Sequence, residues 1–349
     1  MSFSNFPPSI DQADILSWET YSPYFSELQQ RQLTKSNLGG WLEDWSLLAA
    51  FLWEAQGMIF IEKTLDTADK KKEQNFLDFV NNVQPAATVA DQRLKERFLA
   101  MNSGGEAVAG LAVALRNMKN QADLFHAKNV PLKTQLAKLV SEYDKITGAM
   151  IADWHGEKKN LSQLRVFLKD KDRSTRERAW RLEMELWQDQ RRRLNELYAD
   201  MLSVRSQLAA NAGLETFRDY AFREYDRFAY APDDCFTFHR AIKEVVVPAA
   251  QRIYEKKRRN LRLQTIRPWD VDVDSSDRPP LQPYKGEDAL IRGSINIFQG
   301  VDPPLARQFS TMVEENLLDL ETRPGKAMGG YCSTLPFRKR PFIFMNGVG

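Results

Sequence analysis

The stretch from Ser174 to Asn211 constrains the fold more than any other part of the chain. Trp180, Trp187, Leu194, Met201 and Leu208 recur every seven residues, and Met184, Leu197 and Tyr198 lie beside that line. Such a series puts one broad apolar stripe on a long helix, which must be covered by other elements. Ser174 with Glu177 three residues on predicts a capping box at its start. Gly213 predicts the stop. A tryptophan and methionine stripe at this spacing is core packing rather than a cofactor box.

Helical periodicity continues on both sides. Leu42, Trp45, Leu48, Ala49, Leu52 and Trp53 share one face of a helix over Ser36 to Thr64. A second runs from Asp91 to Leu115, weakened in its middle by Gly104 and Gly105. Pro131 opens a third, where a missing N–H costs nothing. A further helix begins near Pro232, with Asp233 and Asp234 in its first turn. It runs toward "YEKKRRNLRL". Another starts at Asp302, with Pro303 just inside. "MIADWHGEKKNLSQL" breaks the pattern with a short apolar run and Gly156, and predicts a small turn or hairpin. The predicted class is mainly α, with a small antiparallel hairpin or sheet near the C-terminus. The domain boundary is expected near Asp170, giving residues 1–170 and 171–349.

Hydrophobic residues make up 43% and charged residues 28%, enough for a large core in a soluble protein. The net charge of +2 gives no field that favours nucleic acid or an anionic membrane. The basic clusters Lys70 to Lys72, Arg191 to Arg193, Lys256 to Arg259 and Arg338 to Arg340 are interleaved with acids and read as solvated faces. No nucleic-acid or membrane partner is expected. Cys235 and Cys332 cannot make a disulfide framework, and Cys332 is expected to be a packed thiol. The N-terminal residues lack a signal-peptide pattern, which predicts a cytoplasmic protein.

Local chemistry is sparse. His126, His155 and His239 each lack a second histidine four residues away. "DVDVDSSD" places Asp270, Asp272 and Asp274 at alternate positions, but Ser275 and Leu281 stand where a calcium loop needs glycine and an acid. It reads as a solvated loop. No nucleophile elbow, P-loop or dinucleotide fingerprint is present.

The stretch "ETRPGKAMGGYCSTLP" followed by "RPFIFMNGVG" resembles the segment just upstream of the zinc helix in oligoendopeptidase F and its thimet-type relatives. The matching positions are Gly325, Lys326, Gly329, Gly330, Tyr331, Cys332 and Asn346. "RSTRERAWRLEMELW", "RPWD" at Arg267 to Asp270 and "MIADWHGEKKNLSQL" are similar to other parts of that family, so the likeness spans the chain. It implies a helical metallopeptidase scaffold acting on short peptides in the cytoplasm. It also implies zinc, held by a His-Glu-x-x-His helix and a further glutamate, with the first glutamate activating the metal-bound water. No His-Glu-x-x-His occurs in these 349 residues, so the chain resembles an N-terminal portion of the family and is expected to be inactive alone. A truncated gene, a split polypeptide and a cleavage product all fit. No catalytic or metal residue is assigned.

The resemblance also implies an antiparallel pair, Ala327 to Leu335 and Phe342 to Asn346. Its free edge would pair with a substrate backbone around Gly329, Gly330 and Tyr331. A non-catalytic peptide-binding or scaffold module is the alternative.

Overall fold

A computed structural model describes residues 3–101, 110–276 and 278–348. Gly104 and Gly105 lie outside the described residues. The chain begins with α1 (Ser22–Gln30), α2 (Leu38–Leu65), α3 (Lys70–Asp78), α4 (Gln84–Met101), α5 (Ala112–Leu124) and α6 (Asn129–Gly148). A hairpin of β1 (Ile151–Trp154) and β2 (Glu157–Asn160) follows. Next come α7 (Leu161–Val166), α8 (Arg173–Asn211), α9 (Phe217–Glu224), α10 (Pro232–Ala241), α11 (Val247–Asn260), α12 (Glu287–Val301) and α13 (Pro303–Glu314). The strands β3 (Leu318–Glu321), β4 (Tyr331–Leu335) and β5 (Arg340–Gly347) complete the order. The mainly helical class is the observed one.

The long helix forms where the periodicity puts it, but its cap differs. Asp172 accepts the Thr175 N–H at 2.8 Å, along with the hydroxyls of Ser174 and Thr175. A carboxylate accepts more bonds than a hydroxyl, and its charge is favoured at a helix N-terminus. Ser174 therefore donates instead of capping. Glu177 turns to Arg181, one helical turn on. Leu197, Met201, Val204 and Leu208 are buried, whereas Trp180 and Trp187 are half-buried and Tyr198 is exposed. The C-terminus closes through Gly213 N–H to Ala210 O and Leu214 N–H to Ala209 O, a Schellman pattern.

The chain forms two compact units, each assembled from separate segments. The first comprises residues 1–145, 195–228 and 332–342. Its core is built on α2, where Trp41, Leu48 and Phe51 are fully buried among Tyr21, Leu28, Leu94 and Phe98. Trp41 donates its indole N–H to Leu28 O at 3.0 Å, so the core's largest side chain leaves no polar atom unpaired. The β4–β5 turn belongs here too. Buried Glu54 of α2 accepts the Arg338 N–H at 2.9 Å and its guanidinium.

The second unit comprises residues 146–194, 229–331 and 343–349. In it Trp154 packs with Leu164, Leu168 and Ala179. His155 and Gly156, at φ of 55° and 86°, make the β1–β2 turn, a pairing that glycine at the second position permits. The acidic run expected to be solvated is so only in part: Asp272 is exposed, but Asp270 is not. Asp270 is fully buried, with Arg173 at 2.9 Å, Arg176 at 2.9 Å and the Arg267 N–H at 3.0 Å.

The sheet near the C-terminus runs in the order β3-β5-β4. The four residues 336–339 join β4 to β5, a connection only an antiparallel pair allows. β4 begins at Tyr331, not at Ala327. β3 pairs parallel with β5, with Leu318 opposite Ile343 and an irregularity between Asp319 and Glu321. That strand is an addition to the expected pair.

Candidate substrate-edge site

The residues that carried the family resemblance meet around β5. The irregularity in β3 breaks the ladder there. Lys326 fills the gap. Its side chain is fully buried, and its ammonium donates to Asp319 O at 3.1 Å, Asp319 Oδ1 at 2.5 Å, Glu321 O at 2.8 Å and Met345 O. The same nitrogen lies 4.5 Å from the centre of the Phe344 ring. One charged side chain thus satisfies carbonyls of two strands. Burial pushes the Lys326 pKa down, against the opposing pull of Asp319. Burial would raise the Asp319 carboxyl, but the bonds from Arg323 and Lys326 outweigh it and hold it below the usual range.

Asn346 fixes the loop ahead of β4. Its amide nitrogen donates to Ala327 O at 2.8 Å and Gly329 O at 2.7 Å. Its amide oxygen accepts the Thr322 hydroxyl at 2.9 Å, and Asn160 donates to that hydroxyl at 2.8 Å. Carbonyls facing Asn346 explain why residues 327–330 leave the strand. Gly329 is exposed, with φ of 90° and open space where a Cβ would stand. At Gly330 a Cβ would lie 3.2 Å from Phe344 O, a tight approach at which the neighbouring strand would have to give by a few tenths of an ångström. Tyr331 stacks on Phe344, with centroids 4.6 Å apart and planes at 7°. Gly329→Ala is expected to cost about 1–2 kcal/mol, the penalty of a side chain in left-handed backbone. A denaturation midpoint unchanged from the parent would overturn that.

β4 is the outer strand of the sheet, and its side chains alternate. Leu335 is buried, while Cys332 and Thr334 are exposed. The packed thiol expected at Cys332 is therefore an exposed one, because strand alternation turns it outward. Within the first unit α2 passes close to the far half of β4. A Cβ on Gly57 would be 3.6 Å from Ser333 Oγ.

Among the described residues no group of three or more His, Cys, Asp or Glu is arranged to hold a metal ion. His126 accepts the Lys128 N–H through Nδ1. His155 sits in the β1–β2 turn, 3.4 Å from the Arg178 guanidinium. His239 is exposed beside the Phe236 ring. Among the described residues no helix is long and apolar enough to cross a membrane.

Residues 166–349 match the sequence model of peptidase family M3. No curated protein matches the chain. Three solved structures share its fold. One, assigned as an oligoendopeptidase F, has a TM-score of 0.86 and 23% identity over 100% of this chain and 60% of its own. PZ peptidase A with an inhibitor has a TM-score of 0.85 and 21% identity over 99% of this chain and 60% of its own. A protein from Bacillus anthracis str. Ames, also assigned as an oligoendopeptidase F, has a TM-score of 0.84 and 20% identity over 99% and 63%. The chain thus spans about 60% of the length of the first two.

Proposed function

Because this chain belongs to peptidase family M3, we propose that it supplies the helical scaffold and substrate-binding edge of a cytoplasmic zinc oligopeptidase. In this reading residues 1–170 form the N-terminal helical domain and residues 171–349 the first part of the peptidase domain. The observation that carries the reading is β4 on the outside of its sheet, with the loop before it pinned by Lys326 and Asn346. An extended peptide adds to such an edge through main-chain bonds. Gly329 and Gly330 let its backbone come close, and Tyr331, stacked on Phe344, gives it a rigid flank. The substrates are short peptides.

Chemistry is a separate matter from binding. Zinc would supply the activated water in the family, and the described residues present no donor set for it. A polypeptide of these 349 residues is therefore expected to hold no stoichiometric zinc and to cleave no quenched fluorogenic peptide. Metal analysis together with turnover would overturn this. Binding is tested with a pentapeptide and its backbone-methylated form. Methylation removes the N–H groups that pair with β4, so at least tenfold weaker binding is expected. Equal binding would leave the scaffold reading in its place.

A further inference from the structure

The first unit holds a polar cavity of about 320 Å³, at the small end of the range for ligand sites. α4 supplies Asp91, Gln92 and Lys95 to its wall, the connection from α5 to α6 supplies His126, and α9 supplies Glu224. Leu124, Phe125 and Val130 give it an apolar side.

The charged groups are already engaged. Asp91 accepts the Trp45 indole N–H at 2.9 Å and the Lys95 ammonium at 2.7 Å. Glu224 holds Lys133, which also lines the cavity, at 2.8 Å. Gln92 and His126 differ. Gln92 is 6% exposed, and its amide nitrogen donates to Glu96 at 2.9 Å. Its amide oxygen has no hydrogen-bond partner among the described residues. Unlike the Gln84 oxygen it is not sealed in protein, so the cavity is where a donor can reach it. His126 accepts the Lys128 N–H through Nδ1 at 3.2 Å, which leaves its proton on Nε2. That N–H has no partner among the described residues either.

An open acceptor and an open donor in one cavity call for a ligand that carries both complements. The wall's charges narrow the choice. Lys95 and Lys133 are balanced by Asp91 and Glu224, so a lone cation or a lone anion meets repulsion as well as attraction. A small zwitterion meets both signs. The apolar side leaves room for a hydrocarbon side chain.

We propose that this cavity binds a free α-amino acid with an apolar side chain. Its ammonium donates to the Gln92 oxygen, and its carboxylate accepts the His126 Nε2–H. Its side chain lies on Leu124, Phe125 and Val130. Amino acids are what peptide hydrolysis finally releases, so under the reading above this site meets product. The binding itself does not rest on that reading.

Titration calorimetry of the full chain with leucine, isocaproate and isoamylamine tests it. The second is leucine without its amino group, and the third is leucine without its carboxyl group. Leucine is expected to bind at least tenfold more tightly than either. Gln92→Leu is expected to weaken leucine at least threefold and to leave isocaproate unchanged. His126→Phe is expected to weaken both leucine and isocaproate and to leave isoamylamine unchanged. No binding of leucine, or binding no tighter than that of its two fragments, overturns the site, and this arm needs no variant to fold. Unchanged leucine affinity in either variant overturns the contact assigned to that residue. No probe here contains a peptide bond, so the outcome is independent of the β4 edge, which the methylated pentapeptide judges.

Discussion

Lys326→Ala is expected to lower the unfolding free energy by about 3 kcal/mol, read as a shift of the urea midpoint at constant slope. The substitution leaves Asp319 O, Glu321 O and Met345 O without the donor that the fully buried Lys326 side chain brings them. It also takes a positive charge from Asp319. That carboxylate keeps Arg323, at 2.7 Å and 2.9 Å, so the loss falls mainly on the carbonyls. For this reason the estimate sits at the low end of the 3–5 kcal/mol found on breaking buried pairs. Lys326→Met keeps the apolar stem over Phe344 and loses the donors. It should therefore behave nearly like alanine. A loss under about 1 kcal/mol in both variants would show that the ammonium does not hold the strands together.

Asp270→Ala is expected to cost more, about 3–5 kcal/mol. Arg176 is 2% exposed and would remain buried without its counter-charge. Its bonds to Trp269 O, Asp170 O and Lys171 O survive, but none of them neutralises it. The same pair predicts an acid limb. Burial would raise the Asp270 carboxyl, yet the bonds from Arg173, the Arg267 N–H and Arg176 outweigh it and depress its pKa. The stabilisation is therefore complete above the unfolded value of about 3.9 and is lost as pH falls from there through the folded value. Asp319 is depressed too and contributes in the same window. Asp270→Asn should accordingly reduce, without abolishing, the fall in urea midpoint between pH 6 and pH 3. A variant that loses as much stability over that interval as the parent would remove Asp270 from the account.

The elements that showed themselves in the sequence are those with local causes. The α8 stripe repeats within one helix, and the β1–β2 turn is announced by Gly156. Even there the cap moved by two residues, because Asp172 and Ser174 offer similar chemistry and only geometry chooses between them. The single stripe also proved to serve two cores, since residues 173–194 belong to one unit and 195–211 to the other. Several elements gave no warning, α1, α12 and β3 among them. α1 is short, α12 carries Gly293 and Gly300 and lacks a side-chain cap, and β3 is four residues long with its partner well ahead of it in sequence. Asp270 was misread for the same reason. Its arginines lie 97 and 94 residues earlier, and an acidic run without its partners looks solvated.

The candidate edge was legible only through family resemblance. Composition and spacing gave a plain hairpin. The resemblance pointed to Gly329, Gly330 and Tyr331, but not to what Lys326 and Asn346 do. Both bind backbone carbonyls, and a carbonyl has no sequence signature. Gly330 answers first to Phe344 O, a constraint that a substrate-only view of the glycine pair would have missed.

The division into discontinuous units has a consequence for the order of folding. Residues 332–342 complete the first unit, and residues from 343 onward complete the second. During synthesis the early helices can form and cluster as they emerge, but neither unit closes until β5 has been made. Both units therefore stay open until β5 joins segments made long before it, with a large loop-closure cost. Faces made early stay uncovered until residues 332–347 are added, and uncovered apolar faces favour aggregation.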